Sequence, residues 1–256
     1  MSSRRNSPPE ADRPLTARSV LASSLLGTEP PELPVAQLIA IAGLFGLNGN
    51  RTRVALSRMA ANGEVVAVDG RYRLTGHLLD RQARQRQSRA AERRRWNGRW
   101  ITVVVRERAR PAAERTEARR RFTAARLAEL REGVWLRPTN IDVTLSPDVA
   151  AAVVVFDTEP RSDAGELAAS LWDLEAWAAR AERLRRRLTA LPATADEMLA
   201  PGFVLSASVL RHFQADPLLP DELLPARWPG PALRHEYDAW DAAYRARLTR
   251  LARPAR

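Results

Sequence analysis

The chain has 256 residues, 45% of them hydrophobic, a formal charge of +11, no cysteine and no lysine, so every basic side chain apart from three histidines is arginine. That length suggests two or three domains with real cores, the absent cysteine excludes disulfides, thiolate catalysis and Cys-based zinc sites, and the charge favours a polyanionic partner. No run approaches the ~18–20 apolar residues of a membrane span, and the polar N-terminus has no apolar signal core, so no membrane association and a cytoplasmic location are expected.

Residues 1–14, with Arg4, Arg5, Pro8 and Pro9, read as a disordered tail. Thr16 can cap a first helix that carries Ala17, Val20, Leu21 and Leu25 at helical spacing and ends at Gly27. Thr28 to Pro34 reads as a loop rich in proline and acid. Pro34 suits the first turn of a second helix with Val35, Leu38, Ile39 and Ala42. Gly43 to Gly49 forms a turn, and Asn48 or Asn50 can cap the third helix, which stops at Asn62-Gly63. Val65-Val66-Ala67-Val68, Asp69-Gly70 and Arg71-Tyr72-Arg73-Leu74 then spell a two-residue hairpin.

Two short helices and a small hairpin, with arginines on the second helix and the hairpin, form the pattern of a winged helix-turn-helix over residues 15–76. On that reading Asn50, Arg51, Arg53 and Ser57 contact double-stranded DNA; the alternative is a solvated face or an internal salt bridge. Arg53 shares a helix face with both Asn50 and Ser57. Arg58 serves either DNA or packing, and Val54, Ala55 and Met59 are expected in the core. Arg71 and Arg73, two apart on one strand, project from one face and can reach phosphates or the minor groove. Tyr72 is divided between packing and the DNA backbone.

Residues 77–95 read as a basic, solvated helical linker with Leu78 and Leu79 to anchor its start; a second DNA contact is the alternative. From Trp96 the composition shifts. Ile101–Val105 reads as a strand, Ala112–Arg131 as a helix with Phe122, Leu127 and Leu130, and Gly133–Leu136 and Ala151–Phe156 as two more strands. This makes residues 96–160 a small α+β domain. Residues 161–256 read as a helical C-terminal domain. Asp163 and Glu166 cap one long helix through Leu167, Leu171, Leu174, Trp177, Leu184 and Leu188, closed by Pro192. Two short helices follow, Thr194–Leu199 and Phe203–Phe213, then a proline-rich stretch from Asp216 to Pro231. A final helix bears Leu233, Tyr237, Trp240, Tyr244 and Leu248.

Catalytic and cofactor chemistry finds little to work with. His77, His212 and His235 lie on separate segments without metal spacing, no G-x-S-x-G elbow is present, and Glu107 alone lacks the several oxygen ligands a metal wants. No cofactor, no metal and no enzymatic activity are expected.

Four segments, in order, resemble the PaaX family of bacterial transcriptional repressors. Thr52-Arg53-Val54-Ala55-Leu56-Ser57-Arg58-Met59 is similar to its V-R-T-A-L-S-R-L, Trp96-Asn97-Gly98-Arg99-Trp100 to its W-D-G-R-W, and Leu171-Trp172-Asp173-Leu174 to its L-W-D-L. The stretch Asp216 to Gly230 follows its D-P-x-L-P-x-x-L-L-P-x-x-W-P-G. The chain departs from the pattern at Thr52 and Val54, and again at Ala207 and Leu210 in a segment resembling H-E-Y-R-R, where Arg211 is kept. The resemblance implies a multidomain α+β protein: a winged helix-turn-helix, a middle domain shaped like the CRISPR protein Cas2 (ferredoxin-like), and a helical C-terminal domain. It also implies a homodimeric repressor of a catabolic operon, released from its DNA operator by a small-molecule effector such as an aryl- or acyl-CoA thioester or an aryl acid. Trp172, Trp177, Trp228 and Trp240 are core or interface residues, with an effector pocket as the other reading, for which Trp172, Trp228 and Arg211 are the candidates. For Arg211 a salt bridge to Asp216 or Glu222 competes. A non-specific architectural DNA binder and a metal-dependent nuclease are the rival functions.

Overall fold

The computed structural model describes residues 15–106, 112–191 and 199–252. The expected tail at 1–14, Glu107, Pro192 and all but the last residue of the 194–199 helix lie outside them. Backbone contacts divide the chain into two compact units. The first holds Met1–Arg89, Arg183–Gln214 and Ala232–Arg256; the second holds Ala90–Glu182 and Ala215–Pro231.

In the first unit, Thr16 and Ser19 exchange side-chain and backbone hydrogen bonds in a capping box that starts α1 (Ala17–Leu26). The expected loop before Pro34 is partly wrong. Glu32–Pro34 form a short strand, β1, which pairs with the hairpin; proline is tolerated because β1 is an edge strand. Next come α2 (Val35–Gly43) and α3 (Gly49–Ala61), joined by a turn in which Gly46 adopts φ +74°. Asn48, not Asn50, caps α3: its Oδ1 accepts the Arg51 N–H at 2.9 Å. The hairpin strands β2 (Val65–Val68) and β3 (Arg71–Leu74) meet in the expected register. Asp69 and Gly70 are both at positive φ, as a two-residue turn requires. The sheet order is β1-β3-β2.

Helix α4 (Gly76–Ala90) buries Leu78, Gln82 and Ser88, while Leu79 stays exposed. Gln82 Nε2 donates to the carbonyls of Leu26 and Thr28, tying α4 to the end of α1. One core joins Val20, Leu21 and Leu25 to Leu38, Ile41, Leu56, Met59, Val65, Leu74 and Leu78. Tyr72 is half-buried and packs against it.

The second unit is built on an antiparallel sheet of β4 (Trp100–Val105), β5 (Ala128–Arg131), β6 (Val134–Pro138) and β7 (Val153–Thr158), in the order β5-β6-β4-β7. Helix α5 (Ala112–Ala124) precedes β5, and the short α6 (Pro147–Ala151) precedes β7. The expected helix over 112–131 therefore ends early. Arg126 turns the chain at φ +61°, and residues 128–131 become a strand because β6 offers their backbone a partner. Val103, Phe122, Leu127, Trp135, Val149 and Val153 form the core on one side of the sheet. A second cluster unites Trp100 and Leu136 with Ala168, Leu174, Leu219 and Leu223.

The single long helix expected from Asp163 onward is two. Helix α7 (Ala164–Leu171) ends where Trp172 becomes extended, and Asp173 Oδ1 accepts the Ala176 N–H at the start of α8 (Leu174–Ala190). Apolar spacing alone hides this break, because Leu167, Leu171, Leu174 and Trp177 keep helical intervals across it. Back in the first unit, the expected Phe203–Phe213 helix is longer, α9 (Leu199–Gln214). It meets α10 (Gly230–Leu251) through Ser206 and Tyr237, whose hydroxyls lie 2.8 Å apart, and through Tyr244, which donates to the Leu199 carbonyl at 2.6 Å.

Candidate nucleic-acid interface

Helix α3 has a dry side and a wet side. Thr52, Leu56 and Met59 are buried at spacings of four and three, and Thr52 Oγ1 returns to the Asn48 carbonyl at 3.0 Å. The opposite side exposes Asn50, Arg51, Arg53, Ser57 and Arg58. The helix contains no acidic residue, and among the described residues no carboxylate pairs with Arg51, Arg53 or Arg58. Several of the unit's other arginines, by contrast, are paired. Arg18 pairs with Glu64, Arg89 with Asp238 and Asp241, Arg185 with Glu236, and Arg245 with Asp241.

One expectation for α3 fails. Val54 is not in the core but 43% exposed, and Thr52 takes the inward place. Helical geometry explains the exchange: positions 52, 56 and 59 share a stripe, and 54 lies about 200° from 56. That wheel was available in the sequence.

Arg71 and Arg73 also project into solvent, from the face of the hairpin that carries Val66 and Val68. They do not stand alone. Glu32 of β1 lies between them: Arg71 Nε donates to Oε1 at 3.1 Å and Arg73 Nε to Oε2 at 2.7 Å. The register pairs Glu32 with Arg73 and Pro34 with Arg71, so the carboxylate lies beside both guanidinium groups. The Arg73 hydrogen bond is the main cause that holds the Glu32 carboxyl below the usual carboxylate range. Sequence reasoning missed Glu32 because proline hid its strand; the signal was the inward Leu33 between two outward residues.

The effector candidates are spread over the two units. Arg211 is an exposed residue of α9 in the first unit, reaching Ser208 Oγ at 3.4 Å. Trp172 and Trp228 are half-buried in the second unit. Trp172 stacks on Trp100 with centroids 6.3 Å apart, and Trp228 on Trp177 at 4.4 Å. A cavity of about 560 Å³ between α5 and the β5–β6 hairpin, lined by Arg115, Arg119, Phe122 and Trp135, includes none of the three. Among the described residues no three His, Asp or Glu side chains converge as a metal site, and no helix is long and apolar enough to cross a membrane.

Residues 16–78 match the family described as PaaX-like protein, and residues 172–253 match the PaaX-like protein C-terminal domain. The solved structure titled "Uncharacterized protein Rv0674 from Mycobacterium tuberculosis" is similar at 38% identity, covering 92% of this chain and 98% of its own, with a TM-score of 0.78. No curated protein matches.

Proposed function

The chain belongs to the PaaX-like family, and on that premise we propose that it is a transcriptional regulator that binds operator DNA as a homodimer, represses a catabolic operon and leaves DNA when a small-molecule effector binds. The observation that carries this reading is the acid-free, solvent-facing side of α3 with Asn50, Arg51, Arg53, Ser57 and Arg58. Such a surface suits a polyanion, and a helix of this size fits the major groove.

In this proposal residues 15–76 are a winged helix-turn-helix, with α2 and α3 as its two helices and the β2–β3 hairpin as its wing. Residues 96–160 are a Cas2-like, ferredoxin-like domain, a reading supported by the β-α-β-β-α-β element order. Two copies of α3 read two half-sites about one helical turn, ~34–36 Å, or a multiple apart. The effector is an aryl- or acyl-CoA thioester or an aryl acid. It relieves repression only by binding the DNA-free arrangement more tightly than the DNA-bound one.

The test is a mobility shift on the chain's own promoter. Arg53→Ala is expected to lose ~1–3 kcal/mol of operator affinity, one base contact, with the circular-dichroism spectrum unchanged. A panel of acyl-CoA thioesters and free aryl acids should contain one that releases the duplex, and light scattering should give twice the chain mass. The net charge of +11 also suits non-specific architectural binding. Footprinting at raised salt separates the two, because non-specific binding falls steeply with salt and leaves no discrete protected site.

A further inference from the structure

We propose that Val54 is a specificity-determining residue that packs against the C5-methyl group of a thymine in each operator half-site; this rests on the DNA-binding reading of α3. Side chains three and four residues apart are surface neighbours on a helix. For Val54 those neighbours are Asn50, Arg51, Ser57 and Arg58, all exposed and all polar. An aliphatic side chain 43% exposed therefore stands in the middle of a hydrogen-bonding and cationic surface.

The fold of α3 gives Val54 no structural employment. Thr52, Leu56 and Met59 make the inward stripe, and Val54 is absent from the apolar cluster that Leu56 and Met59 help to form. A single exposed valine elsewhere on a protein needs no explanation. Here it lies in the first half of the helix, the part that meets base edges when such a helix enters the major groove. In that groove each base pair shows hydrogen-bonding atoms that polar side chains read, and thymine alone adds a methyl group that an apolar side chain reads. Asn50, Arg51, Ser57 and Arg58 supply the first kind of recognition and Val54 the second. The contact also disfavours cytosine, whose bare C5 would leave the valine methyls against an unfilled gap.

The experiment uses the full chain and DNA that the protein itself selects. Duplexes are enriched from a random library by the wild-type protein. The winning duplex is then resynthesised with deoxyuridine replacing one thymine at a time, which removes only the methyl group. One thymine in each half-site should be sensitive, with affinity falling about fourfold, equivalent to about 0.8 kcal/mol for one buried methyl group. Val54→Ala should bind the thymine duplex more weakly and show no difference between thymine and uracil at that position. Its spectrum should stay native, because the side chain it loses is exposed. If every uracil duplex binds like its thymine counterpart, or if Val54→Ala keeps the thymine preference, the inference about Val54 is overturned while DNA binding stands. If no duplex is enriched, the DNA-binding reading itself is overturned.

Discussion

Arg18 donates from its Nε to both carboxylate oxygens of Glu64, at 3.1 and 2.9 Å, across 46 positions of chain. The pair fastens α1 to the junction between α3 and the hairpin. Glu64 is nearly buried, with 6% of its side chain accessible, whereas half of the Arg18 side chain remains in water. The hydrogen bond from Arg18 is the main cause that holds the Glu64 carboxyl below its usual value, against burial, which raises it. Glu64→Gln should therefore cost roughly 1–2 kcal/mol, discounted for the solvated arginine, as a lower urea midpoint. The sign with pH follows from the depressed value. Above about pH 4.3, the ordinary glutamate value, both folded and unfolded chains are ionised and the pair contributes in full. As pH falls through the lower folded value, that contribution disappears. Wild type and Glu64→Gln should then converge in acid and differ most near neutrality.

A second prediction concerns the hairpin. Glu32 neutralises part of the charge of Arg71 and Arg73, so this surface offers a phosphate one net positive charge where the sequence suggests two. Glu32→Gln should release both arginines. Expected are tighter DNA binding at low salt and a steeper fall of log affinity with log salt, by about 0.9 per additional phosphate neutralised. A salt titration of wild type and variant reads this directly; an unchanged slope would remove the hairpin from the DNA contact.

Much of the first unit was legible because its signals are local. A capping Thr16 and the Asp69-Gly70 turn each act within a few residues, and the structure keeps both. What escaped depends on partners distant in sequence. Strand β1 exists because β3 pairs with it from 39 residues away, and β5 because β6 gives it a ladder. The interruption at Trp172-Asp173 is set by a cap and an extended residue, which apolar periodicity cannot register. For the candidate interface, the exposed polar residues of α3 followed from spacing, whereas Val54 was expected in the core and the Glu32 clamp needed the sheet register.

Asn48 offers a third test. Its side chain caps α3 through the Arg51 N–H, and its carbonyl holds the inward Thr52 hydroxyl. Asn48→Ala should cost about 1 kcal/mol from the lost cap. Asn48→Asp should recover it, since a carboxylate accepts the same bond and suits the positive end of the helix. Thermal melts of the three proteins distinguish these outcomes. If the alanine variant melts with the wild type, the start of α3 is held by tertiary packing rather than by its cap.

The last prediction turns on a buried cation. Arg137 is fully buried in the second unit, and among the described residues it pairs with no carboxylate. Its donors go to the Pro138 carbonyl at 3.0 Å, the Arg126 carbonyl at 3.3 Å, Asn140 Oδ1 at 3.1 Å and the Leu218 carbonyl at 3.5 Å. Burial pulls its pKa down, with nearby Arg126 adding to the effect. A charge in such surroundings costs folding energy, so its use must lie in the acceptors it satisfies. Chief among them is Leu218, held at φ +50°, where an L side chain is disfavoured by roughly 1–2 kcal/mol. Asp216 Oδ1 accepts the Leu218 N–H at 2.8 Å, and Asn140 Nδ2 donates to its carbonyl at 2.8 Å. Arg137 and Asn140 thus pin the proline-rich 216–224 segment, whose Leu219 and Leu223 fill the cluster around Trp100. Arg137→Met keeps the bulk but removes the donors to the Pro138 and Arg126 carbonyls and to Asn140 Oδ1, and should cost roughly 2–4 kcal/mol. Arg137→Lys should not recover it, because an ammonium cannot reproduce the planar fork. Limited proteolysis should cut first between 216 and 224 in both variants; cleavage elsewhere would show that another contact holds this segment in place.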